Sequence, residues 1–196
     1  MRIEIAQAKH ARQIADIYAP FVRSTAISFE TREPDAAAME ARSEKVKQKY
    51  PFVVCRDGKR ITGYAYVTSF GNRGGFDWTV CSCIYVHPGY QRKGIGEAMY
   101  KTLLELLKEQ GFINVYAAVA LPNPASCALH EKIGFRRESV FEKVGYKLGR
   151  WHDIANYCIR LNDQSATPQL PTPFAELDQK QIEDAIKTGE SVLCKQ

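Results

Sequence analysis

The sequence predicts one α/β (α+β) domain, and three observations carry that reading. Segments of alternating apolar and polar residues change places along the chain with segments of helical period. Arg56-Asp57-Gly58-Lys59 joins two apolar runs as a hairpin. An apolar run ending at Val86 leads through a glycine-rich turn into a long amphipathic segment. With 196 residues, 45% of them hydrophobic and 25% charged, the chain is long enough for one well-filled core and short for two.

In chain order, Ile3 and Ile5 alternate with polar residues as a first strand. Ile14, Ile17, Tyr18 and Phe21 repeat at helical spacing, with Pro20 limiting or kinking the helix. Pro34 opens a second helix that runs to Lys49. Phe52 to Cys55 and Ile61 to Val67 are the two arms of the hairpin. Ser69 to Asp77 is a glycine-rich loop facing a ligand or a partner, and Trp78 to Val86 is the next strand. Ile95, Met99, Leu103, Leu106 and Leu107 line one side of a helix that Gly111 caps.

Val115 to Ala120 is apolar on both faces and reads as a buried strand. Asn123 as N-cap and Pro124 at the first helical position start a short helix ending at Gly134. Phe135 to Val140 and Ile154 to Leu161 finish the sheet. The domain is therefore placed at residues 1–163. Residues 164–196, with Pro168, Pro171 and Pro173, read as a proline-rich linker and a tail that the fold does not need. One helix over Asp178 to Thr188 and the apolar Phe174, Leu177, Ile182 and Ile186 suit it to cover a second subunit.

A net charge of +5 without Lys/Arg blocks does not point to nucleic acid and suits a polyanionic small ligand. Six cysteines without a C-x-x-C pair imply free thiols in a reducing compartment and no metal site. Without a signal peptide or an apolar run of about 18 residues, the expectation is a soluble, cytoplasmic protein with no membrane partner.

The most informative stretch is Val86 to Glu97, V-H-P-G-Y-Q-R-K-G-I-G-E. Gly94 and Gly96 let a ligand approach the backbone, and the first N–H groups of the following helix have no partners within it. The helix dipole, Arg92 and Lys93 add positive potential that suits a diphosphate. The spacing is neither G-x-G-x-x-G nor G-x-x-x-x-G-K-[ST], so a dinucleotide-binding βαβ unit or a P-loop is not supported.

Q-R-K-G-I-G after a strand resembles the acetyl-CoA pyrophosphate loop of the GNAT acetyltransferase superfamily, [QR]-x-x-G-x-[GA]. The resemblance extends to the phosphinothricin and methionine-sulfoximine acetyltransferase branch. It rests on Phe29, Tyr50-Pro51, Asp77-Trp78-Thr79, Tyr85-Val86, Gln91 to Gly96, Gln110-Gly111-Phe112, Leu121-Pro122-Asn123, His130-Glu131 with Gly134, and Gly149 with Trp151-His152-Asp153. These matches cover roughly residues 3 to 162 and imply a mixed, mostly antiparallel sheet flanked by helices. They also imply acetyl-CoA as cofactor, a homodimer, and N-acetylation of a small amino acid or an analogue with an acidic side chain.

Carried over residue by residue, the resemblance implies a cofactor site at Val86, Gln91, Arg92, Lys93, Gly94, Ile95, Gly96, Asn123 and Ser126. A backbone N–H near Tyr85 and Val86 is the expected oxyanion donor, a contribution of roughly 10²–10³ in rate. His130 is the expected acid for the departing thiolate. Phe29, Arg73, Tyr85 and Ile154 are expected to line the acceptor pocket, Arg73 meeting its acid group. The chain departs from the branch at Cys81, where Trp-Thr-x-Glu supplies a general base: a thiol with its ordinary pKa of about 8.5 is mostly protonated at neutral pH. Two other readings remain open, a protein or peptide N-acetyltransferase and a coenzyme-A-binding module of reduced activity.

Overall fold

A computed structural model describes residues 1–194. Seven strands, β1 (Arg2–Ile5), β2 (Phe52–Asp57), β3 (Arg60–Ser69), β4 (Thr79–Val86), β5 (Asn114–Ala120), β6 (Arg136–Lys147) and β7 (Arg150–Arg160), form one sheet in the order β1-β2-β3-β4-β5-β7-β6. Every neighbouring pair is antiparallel except β4 with β5. Five helices accompany it: α1 (Ala11–Ser24), α2 (Ala36–Lys47), α3 (Ile95–Gln110), α4 (Pro124–Ile133) and α5 (Gln179–Leu193). This is the mixed, mostly antiparallel sheet flanked by helices that the family resemblance implies.

Side chains alternate across a strand, so each central strand feeds two cores. Val53, Cys55, Ala65, Val67 and Val80 pack against Ile95, Met99, Leu103, Leu106 and Leu107 of α3. Phe52, Val54, Ile61, Tyr64 and Tyr66 pack against Ile14, Ile17, Tyr18 and Phe21 of α1 and Met39 of α2. α2 starts at Ala36, not at Pro34, and ends at Lys47, short of Lys49; Asp35 is its N-cap, the side chain accepting from Ala38 N at 2.8 Å. α1 continues through Pro20 to Ser24.

β6 runs to Lys147, beyond the expected end at Val140. Its pairing with β7 shifts between Arg137 and Ser139 and again between Phe141 and Gly145. The extra residues break the period-2 pattern that marks a strand in sequence. Asp153 holds the second irregularity, accepting from Lys143 N at 2.8 Å.

The tail requires a correction. The segment after residue 163 does not stand apart: it crosses the outer side of α3, and Phe174, Ala185 and Val192 are buried in the main core. Leu177, Ile182 and Ile186, expected to meet a second subunit, pack against the same core. Gln110 Nε2 bonds the carbonyls of Lys49 (2.9 Å) and Thr172 (2.7 Å), and Glu190 accepts from Ile3 N on the edge strand at 2.8 Å. At Gly189 the helices touch so closely that a Cβ would sit 2.0 Å from Thr102 Oγ1 and 2.5 Å from the Ala98 carbonyl. The physical reason is the apolar outer face of α3, which the sheet alone leaves uncovered.

Candidate active site

The site begins where a ladder stops. β4 and β5 pair only over Thr79–Cys81 and Asn114–Tyr116, although β4 continues to Val86 and β5 to Ala120. Beyond Cys81 and Tyr116 the strands part and leave a slot lined by Ser82 to Tyr85, Ala117 to Ala120, Asn123, Ser126, His130, Tyr100 and Ile27. His87 N bonds Thr62 O on β3, so alternation turns the N–H groups of Val86 and Ile84 the other way, toward the slot. Two preorganised donors without ladder partners are what an oxyanion needs.

At its outer end the slot meets the N-terminus of α3. Gly94 has φ 67° and α3 begins at Ile95; the first intrahelical bond comes from Ala98 N to Gly94 O at 2.9 Å. The N–H groups of Ile95, Gly96 and Glu97 are therefore free for an anion. Lys93 and Arg60 lie 4.9 and 5.5 Å from the Tyr90 ring, keeping two cations beside the turn. Gly96 has a second role that the sequence does not reveal: a Cβ there would lie 2.9 Å from Leu129 Cδ2, so it also lets α4 approach α3. Asn123 caps α4, its Oδ1 accepting from Ser126 N at 3.2 Å, while both residues border the slot.

His130 is buried at 2% exposure and lines the slot. Its Nδ1 donates to the Ser126 carbonyl at 2.7 Å, and its Nε2 faces the Tyr100 hydroxyl at 2.7 Å. Burial lowers its pKa from the ordinary value. Tyr100, on α3, also lies 3.1 Å from Ser82 Oγ. Sequence reasoning missed both partners, because a tyrosine within the apolar stripe of a helix and a serine within a strand look structural. The one available signal was the helical proximity of Tyr100 to the glycine turn.

On the opposite face of β4, Tyr85 sits in an aromatic group with Tyr18 (4.8 Å), Phe21 (5.3 Å) and Tyr64 (5.3 Å), and burial pushes its phenol up. Cys81 is half-buried, and its thiol is pushed up to about 11, by burial first and by Cys83 second. A thiol so shifted stays protonated at neutral pH and does not replace a carboxylate base. Phe29 lies over Gly145, whose absent Cβ would meet the ring at 2.2 Å, and its ring centroid is 6.0 Å from that of His152. Lys147 Nζ donates to the Ser28 carbonyl at 2.5 Å, tying the α1–α2 loop to β6.

Of the expected residues, the slot lining brings together Tyr85, Asn123, Ser126 and His130. Val86 ends β4, Gln91 to Gly94 form the turn that follows, and Ile95 and Gly96 start α3. Cys81, Phe29, Arg73 and Ile154 lie outside the lining. Ile154 pairs with Ala120 on β5, a residue that does border it. Arg73 is exposed on the loop before β4, and its guanidinium makes no hydrogen bond or ion pair among the described residues. No cluster of metal-ligating side chains occurs among the described residues.

A slot between parting parallel strands, beside a helix N-terminus with free N–H groups, suits a long donor with an anionic tail. The chain belongs to the acetyltransferase (GNAT) family, whose model matches residues 12–135. It is 32% identical over 154 residues to the phosphinothricin N-acetyltransferase of Streptomyces viridochromogenes, covering 79% of this chain and 84% of that protein. It is 31% identical over 170 residues to the L-methionine sulfoximine/L-methionine sulfone acetyltransferase of Salmonella typhimurium, covering 85% and 98% of the two chains. Among solved structures, a GNAT superfamily phosphinothricin acetyltransferase from Sinorhizobium meliloti in complex with AcCoA superposes with a TM-score of 0.81 at 32% identity, over 85% of this chain and 92% of that one.

Proposed function

We propose that this N-acetyltransferase moves the acetyl group of acetyl-CoA directly to the amino group of a small amino acid or amino-acid analogue of the phosphinothricin or methionine sulfoximine kind. The observation that carries the reading is the slot where β4 and β5 part, with the N–H groups of Ile84 and Val86 facing it and the N-terminus of α3 at its mouth. The residues fit the donor. Ile95, Gly96 and Glu97 offer N–H groups to its diphosphate, and Asn123 and Ser126 border the path of its arm. Bound there, the donor supplies an activated acetyl thioester.

The chain's own part is orientation and charge. Backbone N–H groups stabilise a developing oxyanion, Tyr85 and its aromatic neighbours shape the acceptor side, and Arg73 offers a bidentate contact to an acid group on the acceptor. The relatives act on phosphinothricin and on methionine sulfoximine or sulfone, as their names state. Among the described residues no helix is long and apolar enough to cross a membrane. A homodimer would cover the β6–β7 hairpin, where Phe141, Tyr146 and Trp151 are 55–60% exposed beside Val144 and Leu148.

The test is a panel of amino acids, their phosphinate, sulfoximine and sulfone analogues, and peptides, each incubated with acetyl-CoA and read by mass spectrometry of the product. One acetyl group on the amine of a small analogue is the expected result. Acetylation of peptides alone, or coenzyme A binding without turnover of any amine, would overturn it.

A further inference from the structure

The geometry points to Tyr100 as the residue that exchanges protons with the reacting groups, with His130 acting only through it. This rests on the acetyl transfer proposed above. A backbone carbonyl can only accept, so the 2.7 Å contact of His130 Nδ1 with the Ser126 carbonyl fixes the proton on Nδ1. Nε2 is then the acceptor of a neutral ring, and the Tyr100 hydroxyl occupies it at 2.7 Å. Neither ring nitrogen is left for a substrate. What His130 contributes to the slot passes through Tyr100, a residue of the slot lining whose Oη lies 3.1 Å from Ser82 Oγ. Ser82 in turn donates to the Tyr116 carbonyl at 3.1 Å, at the point where the β4–β5 ladder ends.

The groups around the imidazole agree with a proton-accepting role. From β7 the Tyr157 ring stacks on it at 5.4 Å, Phe135 meets it edge-on at 5.2 Å, and Tyr100 comes from α3 and Ser82 from β4. Glu131 reaches only Tyr157 Oη, at 3.3 Å, and no carboxylate or cation is bonded to the ring among the described residues. The ring is therefore neutral at pH 7 and able to accept one proton. The Tyr100 phenol, pushed up by burial, does not ionise alone; it passes a proton on only while it receives one.

The relay closes the gap left by Cys81. Tyr100 Oη takes a proton from the acceptor's ammonium as its own hydroxyl proton moves to His130 Nε2. The amine nitrogen bonds the acetyl carbon, and the carbon–sulfur bond breaks with its electron pair on sulfur. The proton returns from Nε2 through Tyr100 Oη to that sulfur, and the nitrogen's remaining surplus proton goes to water. The three ammonium protons thus end on the amide, the thiol and the solvent.

Tyr100→Phe keeps the ring and removes only the hydroxyl, so it is the variant of choice. In the wild type, kcat/KM should be flat across neutral pH and fall only below the ordinary histidine range, because His130 is depressed. In Tyr100→Phe, kcat/KM at pH 7 should drop by roughly 10²–10⁴-fold and then climb with pH as the free amine accumulates, with the calorimetric affinity for acetyl-CoA unchanged. A Tyr100→Phe enzyme with the wild-type rate and pH profile overturns the relay while leaving the acetyl transfer standing. A wild type that acetylates no amine removes the transfer and the relay with it. A second readout does not depend on turnover: nitrogen NMR of labelled histidine, assigned with His130→Gln, should show His130 neutral and protonated on Nδ1 at pH 7. An imidazolium there overturns the relay.

Discussion

The two faces of β4 differ in what they ask of the sequence. Toward α3 and α4, Val80, Ser82 and Ile84 look onto the core beneath α3, the slot, and the close contacts of Ser82, Tyr100 and His130. Toward α1 and α2, Cys81, Cys83 and Tyr85 look onto an aromatic group, a loop tied down through Ser28 and Lys147, and a sheet face whose outer strand β6 is open to solvent. The donor face is built mostly from backbone and packing, where almost any change is felt. The acceptor face is built from individual side chains and can be altered one residue at a time.

The largest effect should come from the tail, because it covers the outer face of α3. Burial of Phe174 and Val192 contributes on the order of 4 kcal/mol. Removing residues 164–196 should therefore lower Tm by about 10 °C or more and weaken acetyl-CoA binding along with it. Gly189→Ala, which forces a Cβ against Thr102 and the Ala98 carbonyl, should reproduce part of that loss. An unchanged melting curve in both variants would show that the helix contact contributes nothing.

Next is Gly96→Val. It crowds the anion site and drives a β-branched side chain into Leu129, an overpacking cost of about 1–3 kcal/mol. We expect a roughly 10- to 100-fold weaker calorimetric affinity for acetyl-CoA with the acceptor KM little changed. Equal affinity in a folded variant would remove the diphosphate from the start of α3.

On the acceptor face the effects should be smaller and selective. Cys81→Glu supplies a base and a negative charge for the ammonium, and we expect about a tenfold rise in kcat/KM, most visible below about pH 7.5. In a Tyr100→Phe background the gain should be larger, since two routes for the same proton do not add independently. Partial burial would raise the new carboxyl's own pKa and so narrow the gain at low pH. Arg73→Ala should raise the acceptor KM about three- to tenfold and spare that of acetyl-CoA; equal change in both constants would place Arg73 outside acceptor recognition.

The same contrast explains what could be read from the chain. The glycine turn, the Asn123 cap and the helices were legible because φ > 0, capping and period are local properties. The end of β6 was not, since its bulges interrupt the period. Proline spacing suggested a detached tail, and only the uncovered face of α3 explains why it returns. At the site, His130 was visible by position, but Tyr100 was not, because helical period alone cannot separate a tyrosine that fills a core from one that aims a hydroxyl into a slot. The isolation of both ring nitrogens of His130 is a property of three elements together, α3, α4 and β4.

The most direct test of direct transfer is the initial-rate pattern with acetyl-CoA and the acceptor both varied, alongside intact-protein mass spectrometry after exposure to acetyl-CoA alone. If the amine attacks within a ternary complex while Cys81 remains a protonated thiol, double-reciprocal lines intersect, no acetyl adduct forms, and Cys81→Ala stays active. Parallel lines, with an acetyl adduct that disappears together with activity in Cys81→Ala, would contradict it.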